Sequence, residues 1–180
     1  MARRWMTVPF LGIGVLLTSL SCIPTDAEVH ATKDPRFTGQ MRSIYVIIAQ
    51  QGIDEDFAVE LGNLLRQELA RRGIASRWRF VGSREVDAGV VDREVAMMQP
   101  DGILTILPVR GLSVNGTITH LTYELVLLET ERGQRIWRAS VTNQRDVNFG
   151  TIRGMGEEAA ARIAERLTAD GLLATRTKTP

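Results

Sequence analysis

The chain has 180 residues, of which 44% are hydrophobic, and its 22 lysines and arginines nearly balance its 21 aspartates and glutamates. A chain of this length supports one domain with one hydrophobic core, and the balanced charge excludes the basic footprint of a nucleic-acid-binding domain. With a single cysteine, the chain cannot be stabilised by an internal disulfide.

The first residues predict a secretory leader that ends next to this cysteine. Arg3 and Arg4 provide a positive start, residues 8–17 form an apolar stretch, and "LTSLS" precedes Cys22. This order is typical of a signal peptide, which we place at residues 1–21. Its removal would leave 20 basic and 21 acidic residues, and the remaining chain would carry a net charge of −1.

The position of Cys22 resembles the lipobox of bacterial lipoproteins, in which the cysteine thiol is acylated and the chain is cut just before it. The resemblance implies that Cys22 becomes the amino terminus and carries acyl chains such as palmitate, which anchor the protein stably when two or more are present. Ile23 stands in place of the aspartate that retains such proteins in the inner membrane. The resemblance therefore implies the outer membrane and a domain that faces the periplasm. Ser19 occupies the place where that family prefers leucine.

Other interpretations of this segment stay open. The leader could be an ordinary cleaved signal without lipid. Residues 5–25 lack any charge and are about as long as a membrane-spanning helix, although Pro9 and Pro24 disfavour a helix there. The pair Arg3-Arg4 also suggests twin-arginine export, but the rest of that motif is missing.

Beyond the leader, we predict a tether, one domain and a tail. Residues 22–42 are predicted as a flexible tether, because "IPTDAEVHATKDPRFTGQ" is polar, contains two prolines and shows no helical or strand periodicity. Residues 43–173 are predicted as a single domain and residues 174–180 as a polar tail.

The domain is predicted to begin with a strand, a helix and a second strand. The segment 43–50, "SIYVIIAQ", predicts a buried strand. An amphipathic helix follows, from an Asp54 cap to an end at Gly73. The next segment, "IASRWRFVG", predicts a half-exposed strand with Trp78 and Phe80 on one side and Arg77 and Arg79 on the other.

The second half of the domain completes an α/β pattern. A helix is predicted near residues 87–99, with Val91, Val95 and Met98 on its apolar face. Two predicted strands flank Asn115-Gly116, a dipeptide typical of hairpin turns. The segments "QRIWRASVTN" and "GEEAAARIAERLTADG" then predict a third strand and a last helix. The order β-α-β-α-β-β-β-α predicts a two-layer α/β sandwich, in which helices pack on a mixed sheet of about five strands.

Three phrases carry a resemblance to a known group of domains. "ELARRGI", "PDGILTILPV" and "YELVLLETERGQRIWRASV" look like parts of the TolB amino-terminal domain and its relatives, the lipoprotein activators of penicillin-binding proteins and the curli secretion lipoprotein. The resemblance covers about residues 43–141 and consists of element order and turn chemistry. It implies a role in envelope assembly, peptidoglycan synthase regulation or secretion.

The sequence offers few groups for catalysis, and we expect no enzyme activity, no cofactor and no metal. His30 lies in the predicted tether and His120 in a predicted strand, so an imidazole pair would need the first to reach the second. The Gly-x-Ser-x-Gly turn of acyl-transfer enzymes is absent.

A glycine-rich segment before the last predicted helix superficially suggests a phosphate site. Gly150, Gly154 and Gly156 resemble such a loop in spacing. However, Glu157 and Glu158 occupy the predicted first turn, where carboxylates would repel an anion. We therefore predict a flexible lead-in to the helix and no phosphate site.

The candidate partner-binding residues are arginines interleaved with aromatic side chains, a mixture that is enriched at protein interfaces: Arg77, Trp78, Arg79, Arg135 and Arg138. If the four arginines line one face or edge of the sheet, they form a cationic stripe for an acidic partner. The alternative is that each tryptophan lies in the core and each arginine on the solvated side of its strand.

These observations predict an outer-membrane lipoprotein that acts as a non-catalytic protein-binding module in the cell envelope. The membrane partner is reached through acylated Cys22, and no nucleic-acid partner is expected. The alternative function is a subunit of an oligomeric export or channel assembly. A subunit of that kind needs a membrane-spanning hairpin, for which residues 102–130 are the only candidate.

Overall fold

The structure is a computed structural model that describes residues 26–49, 55–82, 88–114, 117–144 and 152–174. The predicted leader, Cys22, the Asp54 cap and the Asn115-Gly116 turn lie outside the described residues, as does the predicted tail from residue 175 onward. Within the described part, no helix is long and apolar enough to cross a membrane.

The described residues form one mixed six-stranded sheet with three helices. Strands β2, β3 and β4 are parallel to one another, and β4, β5, β6 and β1 follow as an antiparallel series in the sheet order β1-β6-β5-β4-β2-β3. This confirms the predicted two-layer α/β class. The elements are β1 (Asp26–Lys33), β2 (Ser43–Ala49), α1 (Glu55–Arg71), β3 (Ala75–Val81), α2 (Ala88–Met98), β4 (Gly102–Val114), β5 (Thr117–Glu129), β6 (Gln134–Gln144) and α3 (Ile152–Ala169).

The first strand corrects the predicted tether and raises the strand count from five to six. Residues 26–33 pair antiparallel with β6 along their whole length, so the tether prediction is wrong for this stretch. The physical reason is an alternation of small apolar and polar residues, with Ala27, Val29 and Ala31 on the side that meets the core. Consequently His30 lies on a strand and belongs to the domain.

Helices α1 and α3 cover one face of the sheet, which we call the closed face. On β2, the fully buried side chains of Ile44, Val46 and Ile48 point to this face. Leu65 of α1 and Ile163 of α3 are fully buried above them. One continuous apolar core therefore fills the space between the closed face and these two helices.

Glycines allow close packing and sharp ends in the helical layer. A Cβ on Gly62 would lie 2.4 Å from the Trp78 ring, and a Cβ on Gly156 would lie 3.2 Å from the Leu64 side chain. Gly73 and Gly171 follow α1 and α3 with φ angles of 81° and 68°, as helix-terminating glycines do. The predicted glycine ends of both helices are confirmed.

The start of α3 corrects the predicted glycine-rich lead-in. The helix begins at Ile152, so Gly154 and Gly156 lie inside it. Glu157 accepts a hydrogen bond from Arg153 Nε at 3.0 Å, and Glu158 accepts one from Arg162 Nε at 2.8 Å. The two carboxylates are thus engaged within the helix, and Gly156 lets α3 approach α1.

Candidate protein-binding surface

The described residues cover the opposite side of the sheet, which we call the open face, only in part. Tyr45 and Ile47 of β2 point to it, because they alternate with the core residues of that strand. Helix α2 lies over the β2–β3 end of this face, where Glu94 contacts Tyr45 and Arg79. No described side chain of α2 is fully buried, and that of Met97 is 72% exposed. The predicted apolar positions Val91, Val95 and Met98 of this helix are half-buried.

Strand register arranges the open face in rows that run across the sheet. Two neighbouring rows each begin with an arginine of β3 and end with an arginine of β6, and the three positions between them are apolar or weakly polar. In order across the sheet, the rows are Arg77, Tyr45, Ile103, Leu128 and Arg135, and Arg79, Ile47, Thr105, Val126 and Arg138.

The predicted cationic stripe is therefore wrong in one respect. All four arginines lie on the same face, as the hypothesis required, but three strands separate the β3 pair from the β6 pair. Four strand spacings amount to about 19 Å, which is more than twice a physiological Debye length of about 8 Å. The surface is thus a strip of mostly apolar side chains, half-buried except for the fully buried Tyr45, with cations at its two margins.

At the β3 margin, Arg79 belongs to a polar network beneath α2. Its Nη1 donates a hydrogen bond to Glu94 Oε1 at 2.8 Å, and the Tyr45 hydroxyl donates to the other oxygen of the same carboxylate. Burial raises the pKa of Tyr45, and the hydrogen bond to Glu94 raises it further. Tyr45 therefore stays protonated and fastens α2 to the sheet.

At the β6 margin, one arginine is paired and the other is available. Arg138 donates a hydrogen bond to Glu124 at 2.7 Å on the neighbouring strand. Arg135 is exposed and forms no ion pair within the described residues, and the same is true of Arg77 at the other margin. Of the four candidate arginines, Arg77 and Arg135 are therefore the two that a partner could engage without breaking an ion pair formed among the described residues.

The tryptophans that flank these arginines serve the core. Trp78 points to the closed face, packs against Gly62 and donates a hydrogen bond to Asn63 Oδ1 at 3.3 Å. Trp137 is 1% exposed, and its Nε1 donates to Asp170 Oδ2 at 2.7 Å. A partner on the open face does not contact either ring, which favours the core interpretation for both tryptophans.

The hairpin of β4 and β5 extends past the rest of the sheet. Strand β2 pairs with β4 only from Gly102 to Ile106, so the distal half of β4 lacks a partner on that side within the described residues. The side chains of Val109 and Leu112 there are 57% and 50% exposed. The sequence does not predict the exposure of these two residues, because apolar residues in a strand normally indicate burial. The proximal half of the candidate membrane hairpin, 102–130, belongs to the domain sheet.

The described residues contain no group of three or more histidine, cysteine, aspartate or glutamate side chains that could hold a metal ion. His30 and His120 both lie on strands of the sheet, at register positions paired with Ser140 and Gln144 of β6. The two imidazoles therefore occupy different rows and different strands, and the pairing considered from the sequence does not occur.

No family model matches the chain, and no curated protein matches it. Among solved structures, the PelC dodecamer from Paraburkholderia phytofirmans is 16% identical, and the alignment covers 79% of this chain and 97% of PelC with a TM-score of 0.55. A dodecameric variant of the same protein gives 16% identity, 78% and 98% coverage and a TM-score of 0.54. These likenesses show a shared fold. The resemblance to the TolB amino-terminal domain and its relatives stays a prediction.

Proposed function

We propose that the protein is an outer-membrane lipoprotein, anchored through Cys22, whose open face binds another envelope protein without catalysis. The observation that carries this proposal is the exposed margin arginines, Arg77 and Arg135, on either side of a half-buried apolar strip. Apolar patches rimmed by polar residues are typical of protein interaction sites, and arginine is enriched in them. The role would lie in envelope assembly, peptidoglycan synthase regulation or secretion.

The anchor is tested by metabolic labelling with a fatty-acid analogue. We expect label on the wild-type chain and none on Cys22→Ala, because the thiol is the acylation site. Equal labelling of both chains, or label on neither, would contradict the anchor. Membrane fractionation of the same samples then shows whether the labelled chain lies in the outer membrane.

The partner surface is tested by charge reversal at the two margins. The double variant Arg77→Glu, Arg135→Glu should lose capture of a partner from cross-linked envelopes, since both available guanidinium groups change sign. Arg66→Glu is the matched control, because Arg66 is exposed on α1 and faces away from the sheet. Equal capture by the double variant and the control would contradict the proposed surface.

A second candidate function is a subunit of an oligomeric export assembly. It is favoured by the two edge strands, β1 and β3, which have no outer strand partner among the described residues, and by the likeness to PelC, whose solved structures are dodecamers. Light scattering on the detergent-purified full chain tests it. A monomer at all concentrations would exclude this candidate and leave the binding module in place.

A further inference from the structure

The two edge strands of the six-stranded sheet have no strand partner on their outer side within the described part of the chain. These strands are β1 and β3. Each pairs with its inner neighbour without a bulge, and neither contains proline. Natural proteins usually block free strand edges with bulges, prolines, charged side chains or a covering element, because a free edge is a template for another strand. Neither edge has a bulge or a proline, so the charges that the two strands carry decide which strand can pair with them.

The two edges carry opposite charges on the open face. Strand β3 presents Arg77 and Arg79, and β1 presents Glu28, whose side chain is 69% exposed and whose carboxylate lies 2.9 Å from Nε2 of His30 on the same strand. Like charges that face each other across a strand pair are destabilising. Two β3 edges would bring arginines together, and two β1 edges would bring Glu28 close to its own copy. Only the combination of β1 with β3 places opposite charges side by side.

The strand directions also suit this combination. Strand β1 runs antiparallel to β3 within the sheet, so a second copy that continues the sheet with the same face outward pairs its β3 antiparallel to β1. Antiparallel ladders are slightly more stable per residue than parallel ones. In the register with the largest overlap, Glu28 lies opposite Arg79 and diagonal to Arg77, which is within reach of long side chains.

On the closed face, the same register brings half-buried apolar residues at the β1 end of one core next to those at the β3 end of the neighbouring copy's core. Val29 and Ala31 of β1, and Trp78 and Phe80 of β3, are half-buried apolar residues at the two ends of the core. Val29 would lie opposite Trp78 of the neighbouring copy. Burial of their remaining apolar surface favours association by about 25 cal/mol per Å². An open groove between β1 and α3 leaves room for the incoming edge.

We propose that copies of this chain associate head to tail, with β1 of one copy pairing antiparallel with β3 of the next. The inference rests on the second candidate function, the oligomeric subunit, and assigns its contact surface. Because the two surfaces differ, the contact is heterologous and repeats until a ring closes or a filament forms. The Glu28 carboxylate and the Arg77 guanidinium set the order of the two edges.

The test is a charge-exchange cycle on the full chain, expressed with its own leader and purified from membranes in mild detergent. Light scattering after gel filtration, over a concentration series, gives the assembly state. Glu28→Arg and Arg77→Glu should each raise the apparent dissociation constant about tenfold or more, since each creates a like-charge contact. The double variant should recover part of the lost affinity, because it restores the diagonal pair in reverse while Arg79 still lies opposite position 28.

Matched controls carry the same changes away from the edges. The controls are Glu131→Arg, in the turn after β5, and Arg66→Glu, on α1. Both residues are exposed. Neither control should change the assembly state. Thermal unfolding of all variants checks that the edge substitutions leave the fold intact, because exposed changes rarely exceed about 0.5 kcal/mol.

Three results would overturn the proposal. If the wild type is a monomer at every concentration, the edge pairing and the oligomeric subunit both fail, and the binding module remains. If the wild type assembles and the single reversals have no effect, the edge pairing alone fails. If the single reversals dissociate the assembly and the double variant recovers nothing, Glu28 and Arg77 are not diagonal neighbours and the proposed register is wrong.

Discussion

The two faces of the sheet are built in different ways. The closed face is sealed by α1 and α3, and its central side chains, such as Ile44 and Leu104, have no exposed surface. The open face is covered only in part by α2, a helix without a fully buried side chain among its described residues. Fold stability is therefore concentrated on one face. The other face keeps half-buried apolar side chains and arginines without an ion pair among the described residues, and the proposed binding function rests on these.

The largest expected effect is a cavity under the closed face. Leu65→Ala removes a fully buried side chain of α1 and should lower the free energy of unfolding by about 2–5 kcal/mol. The matched change on the other face, Val91→Ala in α2, should cost about 1 kcal/mol or less, because Val91 is only half-buried. Urea denaturation of both variants measures the difference. Equal losses would contradict the contrast between the faces.

Alkaline pH should lower the free energy of unfolding through two tyrosines, one on each face of the sheet. Burial raises the pKa of Tyr123, which lies in the closed-face core, and burial together with Glu94 raises that of Tyr45 under α2. The protonated hydroxyls stabilise the fold fully below the unfolded-state pKa of about 10, and above it the unfolded chain loses its protons first.

The free energy of unfolding should therefore fall above about pH 10, by up to about 1.4 kcal/mol per pH unit for Tyr123, with a smaller contribution from Tyr45. Denaturation curves between pH 8 and 11 measure this fall, on the order of a kilocalorie per unit. A free energy of unfolding that rises or stays constant above pH 10 would be incompatible with the raised pKa values.

A smaller effect should follow from loosening α2. Tyr45→Phe removes the hydroxyl that donates to Glu94, and hydrogen bonds to charged groups contribute about 1.5 kcal/mol or more. Hydrogen exchange of the α2 amides should accelerate more than that of α1 if the network fastens only α2. Uniform acceleration in both helices would instead indicate that the hydroxyl supports the whole domain.

The smallest expected effect on stability belongs to the margin arginines. Arg77→Glu should change the free energy of unfolding by no more than about 0.5 kcal/mol, because Arg77 is exposed and forms no ion pair among the described residues. Arg79→Glu should cost more, since it replaces the ion pair with Glu94 by a like-charge contact. Thermal midpoints of the two variants compare them, and the reverse order would show that the network with Glu94 is not formed.

The local apolar periodicity of the sequence was sufficient to predict most of the strands and helices. Strand β2 and helix α1 combine strong apolar patterns with clear end signals, and both lie where the sequence predicts them. Strand β1 was missed because its apolar residues are mostly alanine and its stability depends on pairing with β6, more than a hundred residues away. A short edge strand of this kind carries a weak signal in its own sequence.

The candidate surface could likewise be predicted from the sequence only in part. Alternation within β3 and β6 correctly placed Arg77 and Arg138 on the solvated side of their strands. Whether the two pairs of arginines adjoin depends on strand order, which long-range pairing decides. The order β1-β6-β5-β4-β2-β3 separates them, and no spacing within the sequence encodes that separation.

The most direct test of the central claim is site-specific photo-cross-linking in intact envelopes. A photoreactive residue at position 135 reports on the open face, and one at position 66 reports on the outer side of α1. We expect a cross-link to a second envelope protein from position 135 and none from position 66, because the proposed binding surface lies on the open face and the outer side of α1 faces away from it. Cross-links of equal yield from both positions, or from position 66 alone, would contradict the assignment of the open face as the binding surface.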